Sequence, residues 1–204
     1  MLETLMSVTT AAPDRFTSWL YDFCWRPDFD GQPYHVTPGD LGGPTAWGVT
    51  CTEFIAWQVK HRIYGSGQAQ LQAASKPYLA QIIRADYWNA VLAGEVWAGL
   101  DWMLVDRAFC SGQGNAVELL QKTLGFTGED VDGDIGPDTK AAANAVDDRA
   151  DFIKRYNQAN LDWLKTRATY NRFGGGWDRR QNDCKALALA LYNAPNADAP
   201  GATS

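Results

Sequence analysis

Apolar residues recur at helical spacing along most of the chain, and nowhere do they alternate as a half-buried strand would. Phe16, Leu20, Phe23 and Cys24 share one face of a predicted first helix, which Asp14 can cap and which Pro27 should end by restricting Arg26. Thr50 and Glu53 have the spacing of a capping box, so Glu53 is read as a cap before it is read as a catalyst. The helix they open carries Phe54, Ile55, Val59 and Ile63 and should run to Gly65-Ser66-Gly67. After Ser75, with Pro77 tolerated in the first turn, Leu79, Ile82, Ile83 and Tyr87-Trp88 mark a third. Trp97, Leu100, Leu104, Val105 and Ala108 predict a central helix over 96–110, closed by Ser111-Gly112. Helices are also predicted over 115–124, 137–146 and 149–170, the last burying Phe152, Ile153, Tyr156, Leu161 and Leu164. Gly174-Gly175-Gly176 should break the chain before a final helix over 177–192. The fold class is all-α.

One stretch falls outside this pattern. From Asp28 to Thr50 the chain is rich in proline, glycine, aspartate and threonine, a turn-forming composition, with a short hairpin as its one candidate for regular structure. Phe29, Tyr34 and Trp47 interrupt it, which argues against disorder, and an ordered loop of this length inside a compact domain is usually functional.

Composition narrows the possible partners. With 204 residues, 46% hydrophobic and 21% charged, the chain suits one good core or a core with an appended subdomain. A formal charge of −6 disfavours nucleic acid or an anionic membrane as a partner, since both need a basic face. Cys24, Cys51, Cys110 and Cys184 are widely spaced, without a zinc or disulfide pattern, and are expected to be free thiols in a reducing compartment. Asp130, Asp132 and Asp134 alternate as calcium ligands do, but Ile135 and Ala141 occupy the positions where a calcium loop needs glycine and glutamate, so a turn is preferred. His35 and His61 lie far apart in sequence, and no metal or cofactor is expected. The N-terminus has no signal-peptide pattern and the chain has no apolar run long enough to span a membrane, so stable membrane insertion is not expected.

Within the loop, aspartates near Thr45 could supply the two carboxylates that break a glycosidic bond, one protonating the leaving oxygen and one activating water that the hydroxyl positions. Tyr34, Trp47, Trp88 and Trp102 are candidate sugar platforms, each with a core role as its alternative.

GDLGGPTAWGVT, Gly39 to Thr50, resembles the DPGGxTxxGIT signature of glycoside hydrolase family 108, the phage endolysin and secretion-activator muramidases. RADYWNAV, Arg84 to Val91, is similar to that family's YW helix. AVELLQKTLGF with DGDIGPDT, Ala116 to Thr139, resembles its peptidoglycan-binding half, and FGGGWDRR, Phe173 to Arg180, its GWxxR. The resemblance implies a lysozyme-like helical domain over 14–112 packed against a small peptidoglycan-binding helical subdomain over 113–193; outside it, the sequence reads as a flexible N-terminal arm over 1–13 and a disordered tail, rich in Ala, Pro and Asp, over 194–204. The resemblance also implies an N-acetylmuramidase cutting the bond between N-acetylmuramic acid and N-acetylglucosamine. Asp40 would activate the water and Thr45 position it. The family's acid is a Glu in an EGG motif, and here Asp28-Phe29-Asp30-Gly31-Gln32 stands in its place, making Asp30 the first candidate and Asp28 the second. Cys110 stands where the family has Asn. These departures keep an alternative open, a non-catalytic peptidoglycan-binding or virion protein. The implied partner is the peptidoglycan glycan strand, met in the periplasm after synthesis in the cytoplasm. The protein would be holin-assisted or virion-associated, and a monomer unless part of a virion.

Overall fold

The computed structural model describes residues 14–39, 42–65 and 67–194. The expected arm over 1–13, Asp40 and residues 195–204 of the expected tail lie outside the described residues. The chain is mostly helical with one small hairpin.

Asp14 caps α1 (Arg15–Ser18), its carboxylate accepting the Thr17 N–H at 2.7 Å. The helix runs on as a π-helical turn, Trp19–Cys24, so that Trp19, Leu20, Phe23 and Cys24 are all buried. β1 (Thr45–Ala46) and β2 (Val49–Thr50) form an antiparallel pair around Trp47-Gly48. Thr50 and Glu53 make the capping box that opens α2 (Cys51–Lys60). Then come α3 (Gln68–Ala73) and α4 (Lys76–Ile83), the latter continuing as a second π-helical turn, Arg84–Trp88.

Helix α5 (Leu100–Ser111) is the centre of the molecule: every residue from Leu100 to Ala108 is buried. A helix that buries its whole circumference needs neighbours on all sides. They are α6 (Gln113–Leu124), α8 (Arg149–Lys165) and α9 (Tyr170–Tyr192), with α7 (Pro137–Asn144) against α6.

Four boundaries differ from expectation by more than two residues. The central helix begins at Leu100 rather than Val96, because Gly99 turns the chain at φ +102° with the Ala188 carbonyl pressed against it. Helix α2 stops at Lys60, before the Gly-Ser-Gly segment. Helix α8 stops at Lys165, and the triple glycine lies inside α9 instead of breaking it. A Cβ at Gly174 would stand 2.7 Å from the Tyr170 ring, so the missing side chain makes room for that ring. In place of a calcium loop, Asp132 accepts from Gln121 at 2.6 Å and from the Asp134 N–H at 2.9 Å, closing a turn.

Candidate functional site

The segment after the first helix folds back on it. Gly31 lies so close to the end of the π-helical turn that a Cβ there would fall 2.0 Å from the Trp25 carbonyl oxygen, so Asp30 must be followed by glycine. Residues 32–35 then run beside the hairpin, with Trp47 donating to the Gln32 carbonyl at 2.9 Å and His35 exchanging backbone hydrogen bonds with Thr45. The Trp25 indole holds the turn by donating to the Trp47 carbonyl at 2.8 Å. At that turn Gly48 has φ +79°, and a Cβ would sit 2.9 Å from that of Asp30 and 2.5 Å from the Phe109 ring. Two glycines thus bring Asp30 and the hairpin together. From the far side, Arg172 on α9 donates to the Pro38 carbonyl at 2.8 Å and pins the loop.

Asp30 and Thr45 open into one cleft of about 480 Å³, bounded by the hairpin, the end of α5, and helices α8 and α9. A second depression of about 480 Å³, which includes Glu53 and Asp86, shares Thr50, Phe109, Cys110 and Ser111 with it.

The floor is a charged network. Arg180, buried, reaches Asp106 through Nη2 at 2.7 Å and Nε at 3.1 and 3.2 Å, and donates through Nη1 to Asp30. Gln181 donates to Asp106 at 3.1 Å and accepts from Asn160 at 2.7 Å. One guanidinium is shared by two carboxylates, so the trio carries a net negative charge when all are ionised. Thr45 donates its hydroxyl proton to the Gly43 carbonyl at 3.0 Å, which leaves its oxygen an acceptor.

Among the other candidates from the sequence, Asp28 does not line the cleft. It lies at the surface, paired with Arg26 at 2.9 Å. Trp88 and Trp102 are core rather than platforms: Trp88 packs edge-on to Phe16, and Trp102 lies against Phe23 with its indole donating to the Arg15 carbonyl at 3.1 Å. Tyr34 and Trp47 are half-buried and do not line this cleft. Tyr34 hydrogen-bonds Gln68, and Trp47 stacks near Trp25 with the Lys76 ammonium 3.6 Å from its ring. Asp40 lies outside the described residues.

The cleft's aromatic wall is instead Trp163 and Trp177, with Phe109; the sequence pattern did not single out Trp163. Arg107 also lines it, unnoticed because it sits within the buried run of α5. The GWDRR segment did carry a signal for Trp177 and Arg180, through its likeness to a family motif.

Residues 29–112 match the family described as Glycosyl hydrolase 108, and residues 115–182 match that described as Predicted Peptidoglycan domain. Among solved structures, Brucella abortus SagA is similar at 34% identity and a TM-score of 0.74, covering 81% of this chain and 91% of its own. No curated protein matches the sequence.

Proposed function

Because the chain belongs to the glycosyl hydrolase 108 family and carries a peptidoglycan-binding domain, we propose that it is an N-acetylmuramidase. It would hydrolyse the β-1,4 bond from N-acetylmuramic acid to N-acetylglucosamine in the periplasm, in phage or prophage lysis or in secretion. The observation that carries this reading is that Asp30 and the Thr45 hydroxyl share one groove with an aromatic wall. Protonated Asp30 gives its proton to the glycosidic oxygen as the C1–O bond breaks. Water adds to C1, one of its protons passing to Asp40, whose role rests on the family signature, while the other stays on the new anomeric hydroxyl and is held in a hydrogen bond by Thr45. Asp30, standing in for the family's Glu, lies in the turn that follows the first helix, its N–H donating to the Cys24 carbonyl at 3.1 Å. It is one C–C bond, about 1.5 Å, shorter than that Glu.

The test is release of reducing ends from purified peptidoglycan. Asp30→Asn should lower the rate at least ~100-fold, the usual worth of a general acid, while the helical circular dichroism is preserved. Undiminished release would sink the assignment.

A second reading, a binding protein that has lost its acid, is favoured by one feature: an Asp30 oxygen is already taken by Arg180. On that reading the wild type sediments with peptidoglycan and releases no reducing ends, and Asp30→Glu gains activity.

A further inference from the structure

Arg107 is 1% exposed, yet no carboxylate pairs with it among the described residues. Its Nη1 donates to the Ser111 hydroxyl at 3.1 Å, its guanidinium lies 3.7 Å from the Trp163 ring centre, and its Nε–H has no partner. A second cation shares the ring: the Arg167 guanidinium is 4.0 Å from the same centre and, among the described residues, donates only to the neighbouring Thr166 hydroxyl. Burial lowers the Arg107 pKa, outweighing the opposite pull of Tyr156 and Cys110, and the nearby Arg167 lowers it further. Burying a charge unpaired is costly and is kept where a ligand supplies the partner.

A buried acceptor stands in the same wall. Asp106 can only accept, so the Gln181 amide must donate to it. The Gln181 oxygen then takes the Asn160 N–H, leaving the Asn160 Oδ1 without a donor. Arg107, Ser111, Asn160, Trp163, Arg167 and Gln181 line the cleft that holds Asp30. Arg180, by contrast, is engaged by two aspartates and has no charge to offer.

We propose that Arg107 and Arg167, on the Trp163 ring, form a carboxylate subsite of the cleft, with Asn160 Oδ1 receiving an amide N–H of the same ligand. The subsite rests on the glycan-cleft reading for the identity of its occupant. In peptidoglycan two groups have this chemistry: the lactyl carboxylate of a peptide-free muramic acid, and the carboxylates of the stem peptide.

The two are separated by calorimetric binding of the disaccharide GlcNAc-MurNAc and of its tripeptide derivative, each as the free acid and as the methylamide. For the correct source, the acid should bind the wild type about ten-fold or more tightly than its amide, the worth of one charge-assisted hydrogen bond. Arg107→Gln and the more exposed Arg167→Gln should each lower the acid's affinity towards that of the amide. A preference confined to the disaccharide assigns the lactyl group, and one confined to the tripeptide assigns the stem. Acid and amide binding alike, neither binding, or a gap that persists in Arg167→Gln would overturn the subsite. A wild type that prefers the acid but releases no reducing ends keeps the subsite and loses the hydrolase reading. One that releases reducing ends without discriminating does the reverse.

Discussion

At position 101 a carboxylate with no solvent exposure sits in the first turn of α5. Its Oδ1 accepts from the Gly99 and Trp102 N–H groups at 2.8 Å each, and Arg15 Nε stands 2.9 Å from Oδ2. Burial outweighs Arg15 and those hydrogen bonds, and raises the pKa from 3.8 to about 6. A carboxyl whose folded pKa is raised binds its proton more tightly in the native state. Its contribution to stability is therefore fully present below pH 3.8 and is lost as pH rises through about 6. Asp101→Asn keeps an acceptor for the two N–H groups and removes the titration. The stability of the wild type relative to Asp101→Asn, from urea titrations, should fall between pH 4 and pH 7 by on the order of 3 kcal/mol. A flat or rising difference would refute this account.

Single positions also show what the sequence could reveal. Asp30 and Thr45 were legible because glycines and prolines mark the loop that carries them, and the capping box at Thr50 because both partners are local. Trp88 and Trp102 were not separable from tryptophans that line the cleft, since a tryptophan on a helix reads the same whichever side the core lies. Arg107 was hidden because its meaning lies in the absence of a partner, which only the surrounding helices define.

Among the elements, α9 shows where local propensity loses to packing. Three consecutive glycines cost a helix about 0.5–1 kcal/mol each, yet α9 runs through them because Arg180, Cys184 and Ala188, four residues apart, bury one face. Gly174 also leaves room for the Tyr170 ring, whose hydroxyl donates to Asp178 at 2.6 Å. Gly175 and Gly176 have nothing within 4 Å of where a Cβ would be. Gly175→Ala and Gly176→Ala should therefore each stabilise by about 0.5–1 kcal/mol, read as a rise in thermal midpoint. Gly174→Ala must displace the tyrosine ring and should gain less or lose. Equal gains at all three positions would show that Gly174 has no packing role. The π-helical turns at Trp19–Cys24 and Arg84–Trp88 were illegible for a different reason: over one turn their apolar spacing is too close to that of an α-helix to tell apart.

Over the whole molecule, the two family segments meet in the cleft instead of working apart. Asp30, Thr45 and Arg107 come from the first, and Trp163, Trp177 and Arg180 from the second, so the groove has no wall without both. The core is shared in the same way. Trp97 donates to the Ala143 carbonyl at 2.9 Å and packs edge-on to Phe152 and Tyr192, while Ala188 closes on Gly99. Re-exposing a large apolar side chain costs about 1.5–3 kcal/mol, and a domain has only about 5–15 kcal/mol in reserve. Baring even a few residues of α5 should exhaust that margin. A chain ending at Gly112, which lacks α6, α8 and α9, should therefore show no cooperative urea transition and no near-ultraviolet signal from a fixed tryptophan environment. The full chain should unfold in one transition whether followed by fluorescence or by far-ultraviolet circular dichroism. A truncated chain that unfolds cooperatively, or two separated transitions in the full chain, would mean that the first segment folds alone and that the second is an attached module. The cleft would then depend on how the two dock, and Arg180, bonded to both Asp30 and Asp106, would be the residue that sets that docking.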